Sequence, residues 1–483
     1  MSFIKATTGI LIASCIGFTG FGFDGGLMSG ILTNGYFIDT FDNPNATLQG
    51  QISALFDLGC FFGALSVFAI GEKFGRRTVI LTGSVIHIVG GVIQACSYSS
   101  AQLIVGRIVA GYGCGCITVA IPVWISETTP ASKRGQITGL VIAFNMFGAV
   151  IVTLVNYGMR YIKSHFSWRF PLALQVVFPI FCIILTPFFP ESPRWLISKD
   201  RNEEAKRSIG TLLNTSPDSE EVQAMYSDVV VHVDEERAIA SERSVKDLFG
   251  GNDKLHNLRR IILGALSQLM QQLGGNNCIM YYMPSLFQNS LGMSESLSLI
   301  LAACNSINVT ICGVLNALFL VEKVNRKTIM MCGSLSQGTC MVLIAVGIAL
   351  DSSKGSILSI VFMFGFYSTF GFSWGFAAWN YPPEINSQQY RNLGAATSTA
   401  TNWIFNYIVV LITPIGVANI GWKHFIIFAV FNYCFIPVIF FFFVETKGLS
   451  LEEIDEIFLR KNPDSTLPVV EYSGDKPEAE HVE

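Results

Sequence analysis

Twelve continuous apolar stretches dominate this chain, each roughly 20 residues long, the length a helix needs to cross the hydrocarbon core of a bilayer. They cover about 8–31, 50–70, 78–98, 102–125, 136–158, 168–189, 259–286, 296–321, 328–349, 356–380, 395–417 and 421–443. Lipid offers no partner to a backbone N–H or C=O, so a spanning chain must close its own hydrogen bonds as helices or as a sealed barrel. Barrel strands are short and alternate apolar with polar residues, whereas these runs are long and unbroken. The sequence therefore predicts an all-α integral membrane protein with twelve transmembrane helices. Composition agrees: 51% of the 483 residues are hydrophobic and 14% charged, against about 25% charged in soluble domains.

The charges that remain are repeated. Glu72, Gly75, Arg76 and Arg77 punctuate one hydrophobic hairpin, and Glu322, Arg326 and Lys327 another. Glu127 precedes Arg134 by seven residues, as Glu384 precedes Arg391. Glu191 in Pro-Glu-Ser answers Glu445 in Val-Glu-Thr-Lys-Gly. The offsets are 250, 257 and 254 residues. A hydrophobic chain that repeats its charge clusters once is most simply two pseudo-symmetric six-helix bundles, with a site between them, the layout of a secondary transporter. The expected divisions are a first bundle over 1–195, a cytoplasmic linker with short helices over 196–257, a second bundle over 258–444 and a cytoplasmic tail over 445–483. From 462 the tail is polar, contains Pro463, Pro468 and Pro477, and is expected to be disordered.

Lys73, Arg76, Arg77, Lys133, Arg134, Lys323, Arg326, Lys327 and Arg391 fall on one side, while the loops 32–49, 99–101 and 287–295 hold no Lys or Arg. The loops 159–169 and 350–355 are exceptions, yet the balance puts both termini in the cytoplasm. Asn45-Ala46-Thr47 is then a glycosylation sequon on the outer face. The net charge of −4 says little about partners, since most of the acid lies in the linker and tail, and no basic patch points to nucleic acid. The twelve cysteines lack framework spacing, show metal-ligand spacing at no pair beyond Cys114 and Cys116 in one glycine-rich stretch, and read as small core residues. No nucleophile–base set or nucleotide loop points to an enzyme, and no cofactor or metal is expected.

Charges within membrane helices are costly and mark function or a buried pair. Asp24 lies in the glycine-rich Gly20–Gly26 stretch, and Arg107 precedes Gly111, Gly113 and Gly115. Two readings stay open: a carboxylate that loads and releases a proton as its surroundings alternate, or a static Asp24–Arg107 pair. Asp57 and His87 are also intramembrane and read as structural; Asp57 as a hydrogen-bond partner for a neighbouring helix, His87 as alone on an apolar face. Near 270 the apolar run is interrupted by Gln271, Gln272, Gly274, Gly275, Asn276 and Asn277. Amides both donate and accept, which suits a neutral polyhydroxylated ligand. Gln272 and Asn276 share a helix face, and Gln271 and Asn277 flank a glycine-weakened turn. Trp379 and Asn402 add an aromatic face and another amide.

At these residues the chain resembles the sugar porter family of the major facilitator superfamily, over 8–456. The motifs are Gly-Arg-Arg at 75–77, Pro-Glu-Ser-Pro-Arg-Trp at 190–195, Gln-Gln-x-x-Gly-x-Asn at 271–277 and Glu-Thr-Lys-Gly at 445–448. Phe-Gly-Phe-Asp-Gly-Gly, Trp-Arg-Phe-Pro at 168–171 and Asn-Trp-Ile-Phe-Asn at 402–406 look most like fungal sugar/polyol:proton symporters, including the glycerol/proton branch. The resemblance implies alternating access, with Asp24 taking a proton and Arg107 answering it. It implies substrate contacts at Gln271, Gln272, Asn277, Trp379 and Asn402. It also implies a cytoplasmic charge network of Glu72, Arg76, Arg77, Glu127, Arg134, Glu191, Glu322, Arg326, Glu384, Arg391 and Glu445 that latches the outward-open state. Departures are Ile142 where hexose carriers place Gln (Asn145 is the nearest amide), Thr310 in place of Asn, Asn325 in place of Gly, and Phe376 where Pro commonly follows the Gly. The expected function is transport of a neutral sugar or polyol in symport with a proton, by a protein that works as a monomer in the plasma membrane. A facilitative carrier and a non-transporting sugar sensor are the alternatives, the short tail arguing against the latter.

Overall fold

The structure is a computed structural model that describes residues 6–129, 131–242, 248, 255–320, 323–387, 390–447, 449 and 451–460. The tail from 462, expected to be disordered, lies outside the described residues, as does Glu322; Glu72 and Arg134 lie on described helices, but their side chains are outside the described set.

Among the described residues, eleven helices are long and apolar enough to cross a membrane. In the first half these are α1 (Ala6–Ile31), α2 (Ala46–Phe74), α3 (Arg76–Ala95), α4 (Ser100–Thr128), α5 (Ala131–Met159) and a bent span formed by α6 (Phe166–Leu174) and α7 (Val177–Leu185). The second half opens with an interrupted path, α8 (Asn257–Leu273) and α9 (Asn276–Met280), continued by helical turns to Ser290. Then follow α10 (Glu295–Leu315), α11 (Arg326–Ala349), α12 (Ser353–Phe372) with α13 (Trp374–Ile385), α14 (Arg391–Ile420) and α15 (Lys423–Phe442). With the interrupted path the spans number twelve, in two six-helix sets.

The reason for the interruption is local. Gly275 sits at φ +90, a left-handed conformation that L side chains rarely adopt, so the helix ends at Leu273 and restarts at Asn276. A second break, between α12 and α13, comes at Ser373, with φ −132 and ψ −93.

Within the first half, α4 is packed between α2 and α3. Gly111 and Gly115 face the α2 backbone at Phe56 and Cys60, and Gly113 faces the α3 backbone at Gly83 and His87, so a Cβ at any of the three would collide. That close approach accounts for the glycine series and sets the distances around Arg107. The two halves meet along two seams, α2 against α14 and α5 against α10. Beyond the membrane helices, Pro193–Ser198, Asn202–Leu213 and Glu220–Glu242 form short helices with their own apolar cluster at Trp195, Leu196, Ile197, Ala205 and Val233. A last helix, Leu451–Arg460, docks under the second half: Ile454 and Phe458 are buried, and Asp455 meets the buried Arg260 at 2.5 Å.

Candidate functional site

The break in the seventh path turns its amides inward. Gln271, Gln272, Asn277 and Asn402 are all buried. Asn402 on α14 donates to Gln268 Oε1 at 2.6 Å and to Gln271 Oε1 at 3.0 Å. Gln271 donates to the Trp374 carbonyl at 2.8 Å and Gln268 to the Ala378 carbonyl at 2.9 Å. Asn277 donates to Gln272 Oε1 and to Asn406 Oδ1, both at 2.7 Å. Thus four of the five residues expected to contact substrate sit in hydrogen-bonded amide groups spanning α8, α9 and α14. Trp379 is half-buried on α13, five residues beyond Trp374, whose carbonyl Gln271 holds.

The sequence reasoning missed Gln268 and Asn406. The signal was present: Gln268 and Gln272 are four apart on one helix, as are Asn402 and Asn406, which puts each pair on one face. Asp57 was expected to hydrogen-bond a neighbouring helix and does so across the seam between halves. Its Oδ1 accepts from Tyr281 Oη at 3.0 Å and from Asn406 Nδ2 at 3.1 Å.

Asp24 and Arg107 do not form an ion pair. Arg107 is fully buried; its Nε donates to the Ile52 carbonyl at 3.2 Å, its Nη2 to the Ser53 carbonyl at 3.1 Å, and its guanidinium lies 4.4 Å from the centre of the Phe56 ring. It remains near enough to act on Asp24, Asp57 and His87 through its charge. Asp24 Oδ2 instead lies 3.3 Å from His87 Nε2, and neither oxygen has a hydrogen-bond partner. His87 is therefore not alone on an apolar face, as the sequence suggested. It reaches Asp24 because α1 and α3 both pack on α4, with Gly113 set against the His87 backbone, a tertiary fact that no local pattern carries. With Cys114 Sγ, the ligand atoms of Asp24 and His87 fall within 4.8 Å of one another, a donor set that a soft divalent ion could use.

The repeated charges build the same motif twice. Arg76 forms a two-point pair with Glu127 at 2.8 and 2.9 Å, while Glu191 accepts the backbone N–H of Arg76 at 3.2 Å and of Arg77 at 3.0 Å. Arg326 pairs with Glu384 at 2.9 and 3.3 Å, while Glu445 accepts the N–H of Arg326 at 2.8 Å and of Lys327 at 3.1 Å. In each half a carboxylate thus caps the free N–H groups and positive end of a helix dipole. Burial pushes the Glu191 carboxyl above its ordinary range, opposed by the N–H groups of Ser192 and Arg77 and by the charges of Arg77 and Arg76. Asn325 replaces the expected Gly without strain because its φ is −63, whereas Gly75, its counterpart, has φ +85. Arg391 has an interaction partner as well.

Asn45 is exposed, and its Oδ1 accepts the Leu48 N–H at 2.9 Å, capping α2. Ile142 is partly buried against the large apolar cluster that joins the halves. Thr310 Oγ1 bonds the Ser306 carbonyl of its own helix at 2.8 Å.

A family model described as sugar (and other) transporter matches residues 9–458. The MFS-type transporter oryC of Aspergillus oryzae is 40% identical over 455 residues, covering 92% of this chain and 83% of that protein. The sugar transporter STL1 of Saccharomyces cerevisiae is 38% identical over 475 residues, covering 95% and 82%. Among solved structures, the proton:xylose symporter XylE bound to 6-bromo-6-deoxy-D-glucose superposes with a TM-score of 0.76 at 22% identity, covering 94% of this chain and 99% of that one. XylE from E. coli in its inward-open conformation also gives 0.76, at 21% identity, with 93% and 99% covered. The fold is that of the major facilitator superfamily.

Proposed function

Because the chain belongs to the sugar (and other) transporter family, we propose that it moves a neutral sugar or polyol across a membrane by alternating access, in symport with a proton. One observation carries the reading: a buried amide network in the second half is accompanied by a buried carboxylate in the first, Asp24, which Arg107 does not pair and whose neighbour is His87. Gln271, Gln272, Asn277 and Asn402 are donors and acceptors without charge, which matches a ligand whose hydroxyls are both. Trp379 offers a ring face to a sugar carbon skeleton. Ligands of this kind are named for relatives: STL1 is a sugar transporter, and a protein of Kluyveromyces lactis 31% identical to this chain is a high-affinity glucose transporter.

Asp24 is the proton site of this reading. A carboxylate inside a membrane bundle is stable when protonated, or when a charge or water answers it. Its oxygens are free of hydrogen bonds and Arg107 stands nearby without contact. That geometry favours loading and release over a static pair, which needs the two in contact. The ends carrying Arg76 and Arg326 face the cytoplasm, the Asn45 sequon faces outward, and the membrane is the plasma membrane. The Arg76–Glu127 and Arg326–Glu384 clusters then act as the cytoplasmic gate. The hydrogen bonds between Asp57, Tyr281 and Asn406 close the outer part of one seam, the arrangement of an inward-facing or occluded carrier. The protein works as a monomer.

Uptake of labelled glucose, xylose, glycerol and a disaccharide, in cells lacking their own carriers, at acidic and neutral external pH and with a protonophore, tests the reading. Acid-stimulated uptake of at least one solute that the protonophore abolishes is expected. Saturable uptake indifferent to both pH and protonophore makes the protein a facilitative carrier.

A further inference from the structure

Asp57 has no part in the roles given above to Asp24 and Arg107, yet it joins their surroundings to the amide network. It is fully buried on α2, and both donors to its Oδ1, Tyr281 Oη at 3.0 Å and Asn406 Nδ2 at 3.1 Å, come from the other half. On its own half, Arg107 grips the same helix at the Ile52 and Ser53 carbonyls and lies over Phe56. On the far side Asn406 accepts from Asn277 at 2.7 Å, and Asn277 also serves Gln272 at 2.7 Å. A hydrogen-bonded path therefore runs from Asp57 through Asn406 and Asn277 to Gln272 in the substrate site, while Arg107 holds the preceding turn of the same helix.

Parting the halves at this seam takes both donors from a buried carboxylate, which then needs water. The closed form is favoured for as long as Tyr281 and Asn406 stay in place. Asn406 can hold Asp57 only while its own amide is oriented, and Asn277 orients it. A hydroxyl that takes over the Asn277 amide changes how firmly Asn406 holds Asp57. Occupancy and closure then share one side chain, and two events that share a group are thermodynamically linked.

We propose that Asp57 is the positioning residue through which occupancy of the amide site sets closure of the two halves at the Tyr281 end. This rests on the transport reading. The tests are Asp57→Ala, which removes the acceptor, Asp57→Asn, whose Oδ1 can still accept both hydrogen bonds, Tyr281→Phe, and the double variant Asp57→Ala with Tyr281→Phe. Uptake of labelled glycerol and xylose is measured per molecule at the surface, as KM and maximal rate. Hydrogen–deuterium exchange over 46–60 and 276–290 is followed in detergent without substrate.

Asp57→Ala is expected to lower the maximal rate about tenfold or more, equivalent to about 1.4 kcal/mol, without raising KM, because the open form still admits substrate. Asp57→Asn should keep most of the rate, and the double variant should be no slower than Asp57→Ala, since Asp57→Ala already removes the hydrogen bond that Tyr281 makes. Exchange over both segments should rise in Asp57→Ala and not in Asp57→Asn. A wild-type rate per molecule and unchanged exchange in Asp57→Ala overturn the proposal, as does an Asp57→Asn variant as slow as Asp57→Ala. If the wild-type protein moves neither probe while exchange follows the expected order, the transport reading fails for these solutes and the latch at Asp57 stands.

Discussion

Replacing Asn277 by Ala separates a ligand site from mere helix packing. Asn277 Nδ2 is shared between Gln272 Oε1 and Asn406 Oδ1, each at 2.7 Å, in a buried setting. If the side chain also meets a substrate hydroxyl, the variant loses that hydrogen bond, about 0.5–1.5 kcal/mol net, and leaves the hydroxyl unpaired, about 1–3 kcal/mol. These are two ways of counting one contact, so the expected loss is about 1–3 kcal/mol, or roughly 5- to 150-fold in affinity. The control is Asn308→Ala. Asn308 donates to the Phe364 carbonyl at 3.1 Å and accepts from Ser368 at 3.1 Å, joining α10 to α12 away from the amide network. The assay is uptake KM for the best solute, with surface amount measured in parallel. Asn277→Ala should raise KM by that factor, while Asn308→Ala should alter surface amount and leave KM unchanged. If both variants lose surface amount alike and keep wild-type KM, the amides are interhelical glue and the site has been placed wrongly.

Gly275→Ala puts a Cβ 2.6 Å from Met341 Cε and 2.9 Å from the Phe428 ring at φ +90; its thermal midpoint in detergent should fall, by the equivalent of about 1 kcal/mol or more, and an unchanged midpoint would show that the break tolerates a side chain. Arg76→Gln and Arg326→Gln each lose charge-assisted bonds, to Glu127 and Glu384, worth about 1.5–3 kcal/mol; similar losses of thermal stability are expected, and an effect confined to one half would contradict equivalent roles. Ile142→Gln should shift competition toward glucose and away from glycerol, since an isoleucine leaves a buried hydroxyl unpaired; an unchanged ranking would mean that Ile142 does not line the site.

The span count was legible because length and continuity of apolar sequence need no tertiary knowledge, and the charge repeat announced its own symmetry. Gly274 and Gly275 among amides also marked the break in the seventh path. The kink at Ser373 carried no comparable signal, because the sequence Phe-Ser-Trp-Gly contains neither Pro nor a glycine pair. For the polar core, sequence named the participants better than their partners. Asp24 and Arg107 stand out as charges in apolar runs, but which atom each meets depends on how three helices converge, and there His87 takes the place expected of Arg107. Asn406 and Gln268 were hidden for a different reason: a single amide in a membrane helix is ordinary, and only its spacing from a neighbouring amide tells them apart.

Proton coupling through Asp24 is the centre of the account. The most direct measurement uses purified protein in liposomes, with acid outside and a labelled solute identified by uptake. Wild-type protein should concentrate the solute above its external level and lose it when the gradient is collapsed. Asp24→Asn should only equilibrate the solute across the membrane, while still exchanging labelled for unlabelled solute. Concentration by Asp24→Asn equal to wild type, or mere equilibration by the wild-type protein, would contradict it.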